Sequence, residues 1–407
     1  MSAALAFAPI SAVAWAAALA RPTPAYAQKR GAGMEEFAEV DPYTRGEREL
    51  MDRLGYVTFA PFPWHGAERT PDVHEVLGGA PMLWVETQHF RIGSSLVTYD
   101  VPNDGEERER IADELARLKK RLGRLKAPKK ELDPWLRLHL YAQRAEDLYA
   151  TFMRDFDISP ADFEATGPYL GNSSKYLLLL CERQSELGRY LRTYLAAEND
   201  FSYRWGWDKQ CMFFGANIEA IRASWTNPVD VPFDAQLFCA MTASLASNFV
   251  DSYKATFYTA PRWLGFALGH VYVRRIDPRW VTSAGHDHRK NRREDDWKWE
   301  QRVRNLVSNN FFVTTEEMFA WQEYADMNER DHMVAWSKLD WLMRVAKGDR
   351  EAFLASMCTP SVTDGVVDEK AELLARQKRA LLAHFGLTPD ELDTAWAKWV
   401  KRTYRKR

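Results

Sequence analysis

Apolar residues recur at helical spacing along most of this chain and at strand spacing in only a few places. Across 106–125, Ile111, Leu115, Leu118, Leu122 and Leu125 alternate intervals of four and three, the stripe one helix face presents to a core. The opposite face is Glu, Arg and Lys with pairs such as Glu106 and Arg110, so the bases between Lys119 and Lys130 read as a solvated helix face. Asp133 and Pro134 open a further helix over 135–156, because proline fits the first helical turn. Residues 81–93, dense in β-formers between turn residues, predict one strand, and the four consecutive leucines in 175–181 predict a buried one. Two helices follow at 236–253 and 261–273, joined by a short aromatic turn. Further helices are expected at 330–346, stopped near Gly348, and at 371–385. Thr314 with Glu317 and Thr388 with Glu391 each form a capping box, the second opening a helix with Leu392, Trp396 and Val400 on one face.

The pattern predicts an α+β, mainly helical chain. Residues 28–80 form an irregular lead-in with one short helix at 43–54, 81–230 a strand-containing region, and 231–407 a helical region. Residues 283–300, dense in charge and histidine, read as a surface loop running into a helix. No internal repeat is evident.

Composition narrows the function classes. With 407 residues, 46% of them hydrophobic, the chain fills real cores and is not disordered in bulk. Its 55 basic and 57 acidic side chains nearly cancel, which argues against nucleic acid as a partner. The 16 Trp serve as core fillers or as stacking surfaces for a glycan, and their place in amphipathic helices favours core. Cys181, Cys211, Cys239 and Cys358 lack both CxxC pairing and the density of a disulfide scaffold; in an oxidising compartment three pairings stand open.

Ala3 to Ala20 carry no charge, and Ala25-Tyr26-Ala27 fits a signal-peptidase site, so 1–27 read as a signal peptide, although no Lys or Arg precedes the apolar run. Export to a periplasmic or extracellular location is expected. The stretch approaches the length that crosses a bilayer, but it is mostly alanine and broken by Pro9, so no stable membrane span is expected after cleavage.

Three segments together resemble the bacterial peptidase-MA-like proteins of gluzincin type. Glu86-Thr-Gln-His-Phe-Arg-Ile92 is similar to their opening strand, and Pro261-Arg-Trp-Leu-Gly-Phe-Ala-Leu-Gly-His270 to their Pro-x-Trp-Leu-x-Glu-Gly-Leu-Ala helix. Residues 380–404 resemble their closing Phe-Gly-Leu turn and Trp-bearing helix. The resemblance spans 82–404 and implies a gluzincin-like fold. Active members carry His-Glu-x-x-His on a helix, two imidazoles on one face holding zinc with the Glu activating water, and a third ligand on the next helix. Here Cys239-Ala-Met-Thr-Ala-Ser-Leu-Ala-Ser-Asn248 best matches that helix. Cys239 and Ala243 then stand for the two His ligands, Ala240 for the catalytic Glu and Phe266 for the third ligand. A shifted register on Ala243, Ser244 and Ser247 supplies no ligand either.

The resemblance therefore implies a non-catalytic protein without a cofactor, binding or assembling with a protein, peptide or glycan. The alternative is a hydrolase of other chemistry. Cys239 with His270 as base would serve, as would a metal on His286 and His288 beside Asp295 and Asp296. Asp295 and Asp296 are adjacent and would diverge on a helix, so they are not an acid–base pair. No Gly-rich phosphate loop, Gly-x-Ser-x-Gly elbow or dinucleotide fingerprint is present.

Overall fold

The computed structural model describes residues 40–405, apart from 104, 124, 126–129, 164–166, 200, 208–210, 225–230, 257–259, 281–296, 324–325 and 359–368. The proposed signal peptide, His286, His288, Asp295 and Asp296 lie outside the described residues.

The chain is mixed α/β and mainly helical, with a six-stranded sheet in its first half. The sheet comprises β1 (Tyr56–Phe59), β4 (Leu83–Thr87), β5 (Phe90–Ser94), β8 (Tyr176–Cys181), β9 (Ser202–Trp207) and β10 (Cys211–Asn217), in the order β1-β4-β5-β8-β10-β9. Short strands β2 (Pro63–His65) and β3 (Glu68–Arg69) pair with each other, as do β6 (Tyr99–Asp100) and β7 (Glu131–Leu132). Strand β8 runs parallel to both neighbours, Leu178 facing Ile92 on one side and Phe214 on the other. Both edges of the sheet are antiparallel.

The leucine run is continuous because this strand is buried on both faces. Leu178 and Leu180 enter the large core beneath the helices, while Leu177 and Leu179 enter a second core with Phe62, Trp64, Trp84, Tyr190 and Phe213. That second core is closed by α2 (Thr70–Val76), α5 (Gln184–Tyr190) and the β2–β3 hairpin. On the other face lie α3 (Gly105–Leu122) and α4 (Pro134–Asp155), whose apolar stripes are as expected: Ile111, Leu115, Leu118 and Leu122 are all buried.

Three local differences from the sequence reading have physical causes. The strand expected over 81–93 is a hairpin, turned at Gln88 and His89. Glu146 of α4 closes that turn, accepting hydrogen bonds from His89 N (2.9 Å) and Thr87 Oγ1 (2.6 Å). The lead-in is more ordered than expected, since α1 (Arg48–Leu54), α2 and β1–β3 all fall within it. It is anchored by the buried contacts Tyr56 Oη to His139 Nδ1 (2.7 Å) and His139 Nε2 to Asp41 (3.1 Å). Strands β9 and β10 were not anticipated: β10 is a largely apolar run buried at every position, and β9 alternates Tyr203, Trp205 and Trp207 with Ser202, Arg204 and Gly206 at the edge of the sheet.

The second half contains α6 (Ile218–Ser224), α7 (Phe233–Asp251), α8 (Arg262–Val273), α9 (Trp299–Ser308), α10 (Thr315–Phe319), α11 (Glu329–Arg344), α12 (Arg350–Cys358), α13 (Glu369–Phe385) and α14 (Pro389–Thr403). Both capping boxes form, Thr314 on Glu317 N and Thr388 on Glu391 N. Trp64, Trp263, Trp299 and Trp396 are fully buried, as core fillers are. Trp263 and Trp396 donate their ring N–H to Gln377 (2.7 Å) and Ser337 (2.9 Å). No helix among the described residues is long and apolar enough to cross a membrane.

All four cysteines are free thiols and buried. Burial pushes the Cys211 thiol up to about 12 and raises that of Cys181 well above its ordinary value. An aromatic disulfide reagent such as 5,5′-dithiobis(2-nitrobenzoic acid) is expected to leave all four unlabelled in the native protein and to label all four after denaturation. Rapid native labelling would contradict the packing described.

Candidate functional site

Helix α7 begins after Pro232, and nearly its whole length is buried, which suits a helix apolar on most sides. It packs on α8 through small residues at i, i+4 spacing. Ser247 Oγ donates to the Gly265 carbonyl at 3.2 Å, and a Cβ added to Gly269 would lie 3.3 Å from both the Cα and the carbonyl oxygen of Ala243. One turn further on, Cys239 and Ala240 form an apolar cluster with Val273 and Trp280, bordered by Ala243 and Ile276.

Three of the four motif positions are thus brought together, and they line a helix–helix seam. Ala240 and Ala243 offer no ligand atom. The Cys239 thiol is raised far above its ordinary value by burial, reinforced by Asp277, so little thiolate forms. Phe266 points elsewhere: half-buried, it packs against the main core and meets the His332 ring of α11 edge to face, centroids 5.9 Å apart. Ser247, from the shifted register, is the seam's hydrogen-bond donor. Among the described residues no group of three or more His, Cys, Asp or Glu is placed to hold a metal ion.

His270 does not join Cys239. Its Nε2 lies 3.2 Å from His332 Nδ1, its ring stands edge to face on Trp299, and both histidines are buried. Burial pulls His332 down to about 4, favouring the neutral ring. Beside them Arg274 lies over the rings of Trp299 and Trp336 at 4.8 and 4.6 Å. The face of α8 away from the seam is therefore aromatic and polar packing against α9 and α11.

The N-terminal end of α7 is held by a buried ionic network that the sequence did not disclose. Asp234 accepts from Arg137 (3.1 Å), Arg144 (2.9 Å) and Tyr141 Oη (2.9 Å), and Arg144 also pairs with Glu114 at 2.8 Å. Burial alone would raise the Asp234 carboxyl, but Arg144 and Arg137 outweigh it and hold the group far below the usual range. The partners come from α3, α4 and α7, so no local spacing marks them.

Glu107 lies at the margin of this network, paired with Arg110, with its Oε1 buried and unpartnered. Burial raises its carboxyl from 4.5 to about 7 against the pull of Arg110. A carboxyl with a raised folded pKa adds stability that is complete below the unfolded value and is lost as pH rises through the folded one. Glu107→Gln should therefore gain on the parent protein between pH 5 and pH 8, by up to about 3 kcal/mol from the size of the shift. Parallel thermal unfolding of both proteins across that range checks this; a difference that does not change with pH would refute it.

An open groove of about 830 Å³ lies along α5, lined by Arg183, Gln184, Arg192, Glu198 and Glu219 among others, with no residue of α7 or α8 in its wall. The sheet ends at β9, which has no second strand neighbour among the described residues. Tyr203 and Trp205 of that strand lie nearly parallel, centroids 6.3 Å apart, half-buried against the second core, while Arg204 pairs with Asp251 of α7.

No protein-family model, curated protein or solved structure matches the chain.

Proposed function

We propose that this chain is a gluzincin-like protein that has given up zinc-peptidase chemistry and works outside the cytoplasm by binding a peptide or protein. The observation that carries this reading is the α7–α8 seam. The positions assigned to the zinc ligands and catalytic Glu on α7, Cys239, Ala243 and Ala240, pack as small apolar side chains against α8, with Gly269 in backbone contact at Ala243. A zinc site needs nitrogen, oxygen or sulfur ligands at about 2.0–2.3 Å, and two of these three residues have no such atom.

Peptide is the favoured ligand because β9 is a sheet edge whose neighbour on one side is β10 and whose other side has no strand partner among the described residues. An extended segment can add to such an edge by main-chain hydrogen bonds, with Tyr203 and Trp205 beside it. The parallel rings of these two residues are also the feature that favours a glycan as the second choice of ligand.

Fluorescein-labelled casein, an unfolded polypeptide, tests both halves. With zinc supplied, the mature chain 28–407 is expected to leave it uncleaved. It is expected to raise the label's anisotropy saturably, with affinity falling about tenfold in Trp205→Ala. Zinc-dependent cleavage would defeat the reading that zinc-peptidase chemistry is lost, and absence of binding would defeat the peptide reading.

A further inference from the structure

The turn between β4 and β5 carries chemistry unrelated to the α7–α8 seam. His89 Nδ1 lies 2.6 Å from Glu146 Oε2, and the imidazole stacks on Tyr149 with centroids 3.9 Å apart and planes at 16°. The ring is fixed from a third side by Tyr169, which meets it edge-on at 6.5 Å. Glu146 is fixed in turn, because its Oε1 accepts from Thr87 Oγ1 and from His89 N.

A carboxylate on Nδ1 sets the tautomer and leaves Nε2 as the nitrogen that exchanges protons. Among the described residues Nε2 makes no hydrogen bond, and the side chain is 28% exposed, so this nitrogen meets solvent. The turn does not require the imidazole for closure: Thr87 Oγ1 accepts from Phe90 N at 3.1 Å, and Glu146 already caps His89 N. The nearby cation Lys175 is engaged by the Thr87 carbonyl (2.6 Å) and Glu86 (3.3 Å), which leaves His89 as the group that Glu146 orients.

We propose that His89 and Glu146 form an acid–base dyad that hydrolyses small acyl esters. Water bound at Nε2 gives its proton to that nitrogen as its oxygen bonds to the acyl carbon. The bond from that carbon to the leaving oxygen then breaks, and the leaving oxygen takes the proton back from Nε2. Glu146 remains a carboxylate throughout and acts as a positioning residue. This goes beyond the binding reading and is independent of it, since no residue of α7, α8 or β9 takes part.

p-Nitrophenyl acetate is the probe, compared at equal concentration with free imidazole. The parent protein is expected to be about a hundredfold faster than imidazole, and His89→Gln is expected to lose that advantage. Glu146→Gln should lower kcat about tenfold with KM unchanged, because the amide still meets Nδ1 but no longer fixes which ring nitrogen carries the proton. If His89→Gln does not fold, diethyl pyrocarbonate on the parent protein replaces it. Activity should then fall in step with modification of His89 read by peptide mass spectrometry, and return with hydroxylamine. A parent protein no faster than imidazole, a His89→Gln variant as fast as the parent, or activity surviving full modification of His89 would each overturn the proposal.

Discussion

Asp234→Ala is expected to destabilise the protein by about 3–5 kcal/mol, the range for removing one partner of a buried ion pair. The carboxylate is buried between Arg137 and Arg144 at the start of α7. Arg144 keeps Glu114 when Asp234 is lost, but among the described residues Arg137 retains only the Val97 carbonyl and the Tyr99 ring, a buried guanidinium with no counter-charge in contact. Urea unfolding measures the loss through the shift of midpoint at unchanged slope. Replacing Asp234 and Arg137 together by apolar residues should recover much of it, because the cost lies in the stranded charge more than in the missing attraction. A loss below about 1 kcal/mol for Asp234→Ala would show that the network is solvated or rearranged.

Gly269→Leu is expected to cost about 3 kcal/mol, at the upper end for overpacking a filled site. A first carbon added at Gly269 already sits 3.3 Å from Ala243 backbone atoms, closer than ordinary van der Waals contact, and a branched side chain beyond it has nowhere to go without parting the helices. Leucine otherwise favours a helix over glycine by roughly 0.8 kcal/mol, so a net loss reports the seam itself. Pairing the change with Ala243→Gly should return part of the stability. A Gly269→Leu protein as stable as the parent would mean that a void lies between α7 and α8, and with it room for a ligand.

How much of this was legible beforehand depended on whether the signal was local. The stripe at Ile111, Leu115, Leu118 and Leu122, the leucine strand and both capping boxes are set by neighbours a few residues away, and they appear where expected. The hairpin at His89 was hidden because its clamp, Glu146, is 57 residues downstream. The edge strand β9 is a different case: its alternation of Tyr203, Trp205 and Trp207 with Ser202, Arg204 and Gly206 is local and was legible, with the aromatics Tyr203 and Trp205 half-buried on the second core and Arg204 paired with Asp251 of α7.

The motif segment shows the same division. Helices α7 and α8 could be read from the chain, and so could the lack of a ligand atom at Ala240, Ala243 and Phe266, which leaves a single thiol at Cys239. What could not be read was that Gly265 and Gly269 fall opposite Ser247 and Ala243, which depends on how two helices cross. Phe266 lies off that seam for the same reason, since one residue along a helix turns the side chain by about 100°.

The central claim is that the α7–α8 position is packed solid and holds no zinc. The most direct test is elemental analysis of residues 28–407, purified without chelators, then equilibrated with zinc and freed of excess ion. The account predicts metal near zero per chain in both preparations, and no change on Cys239→Ser. One zinc per chain, lost when Cys239 is replaced, would contradict it.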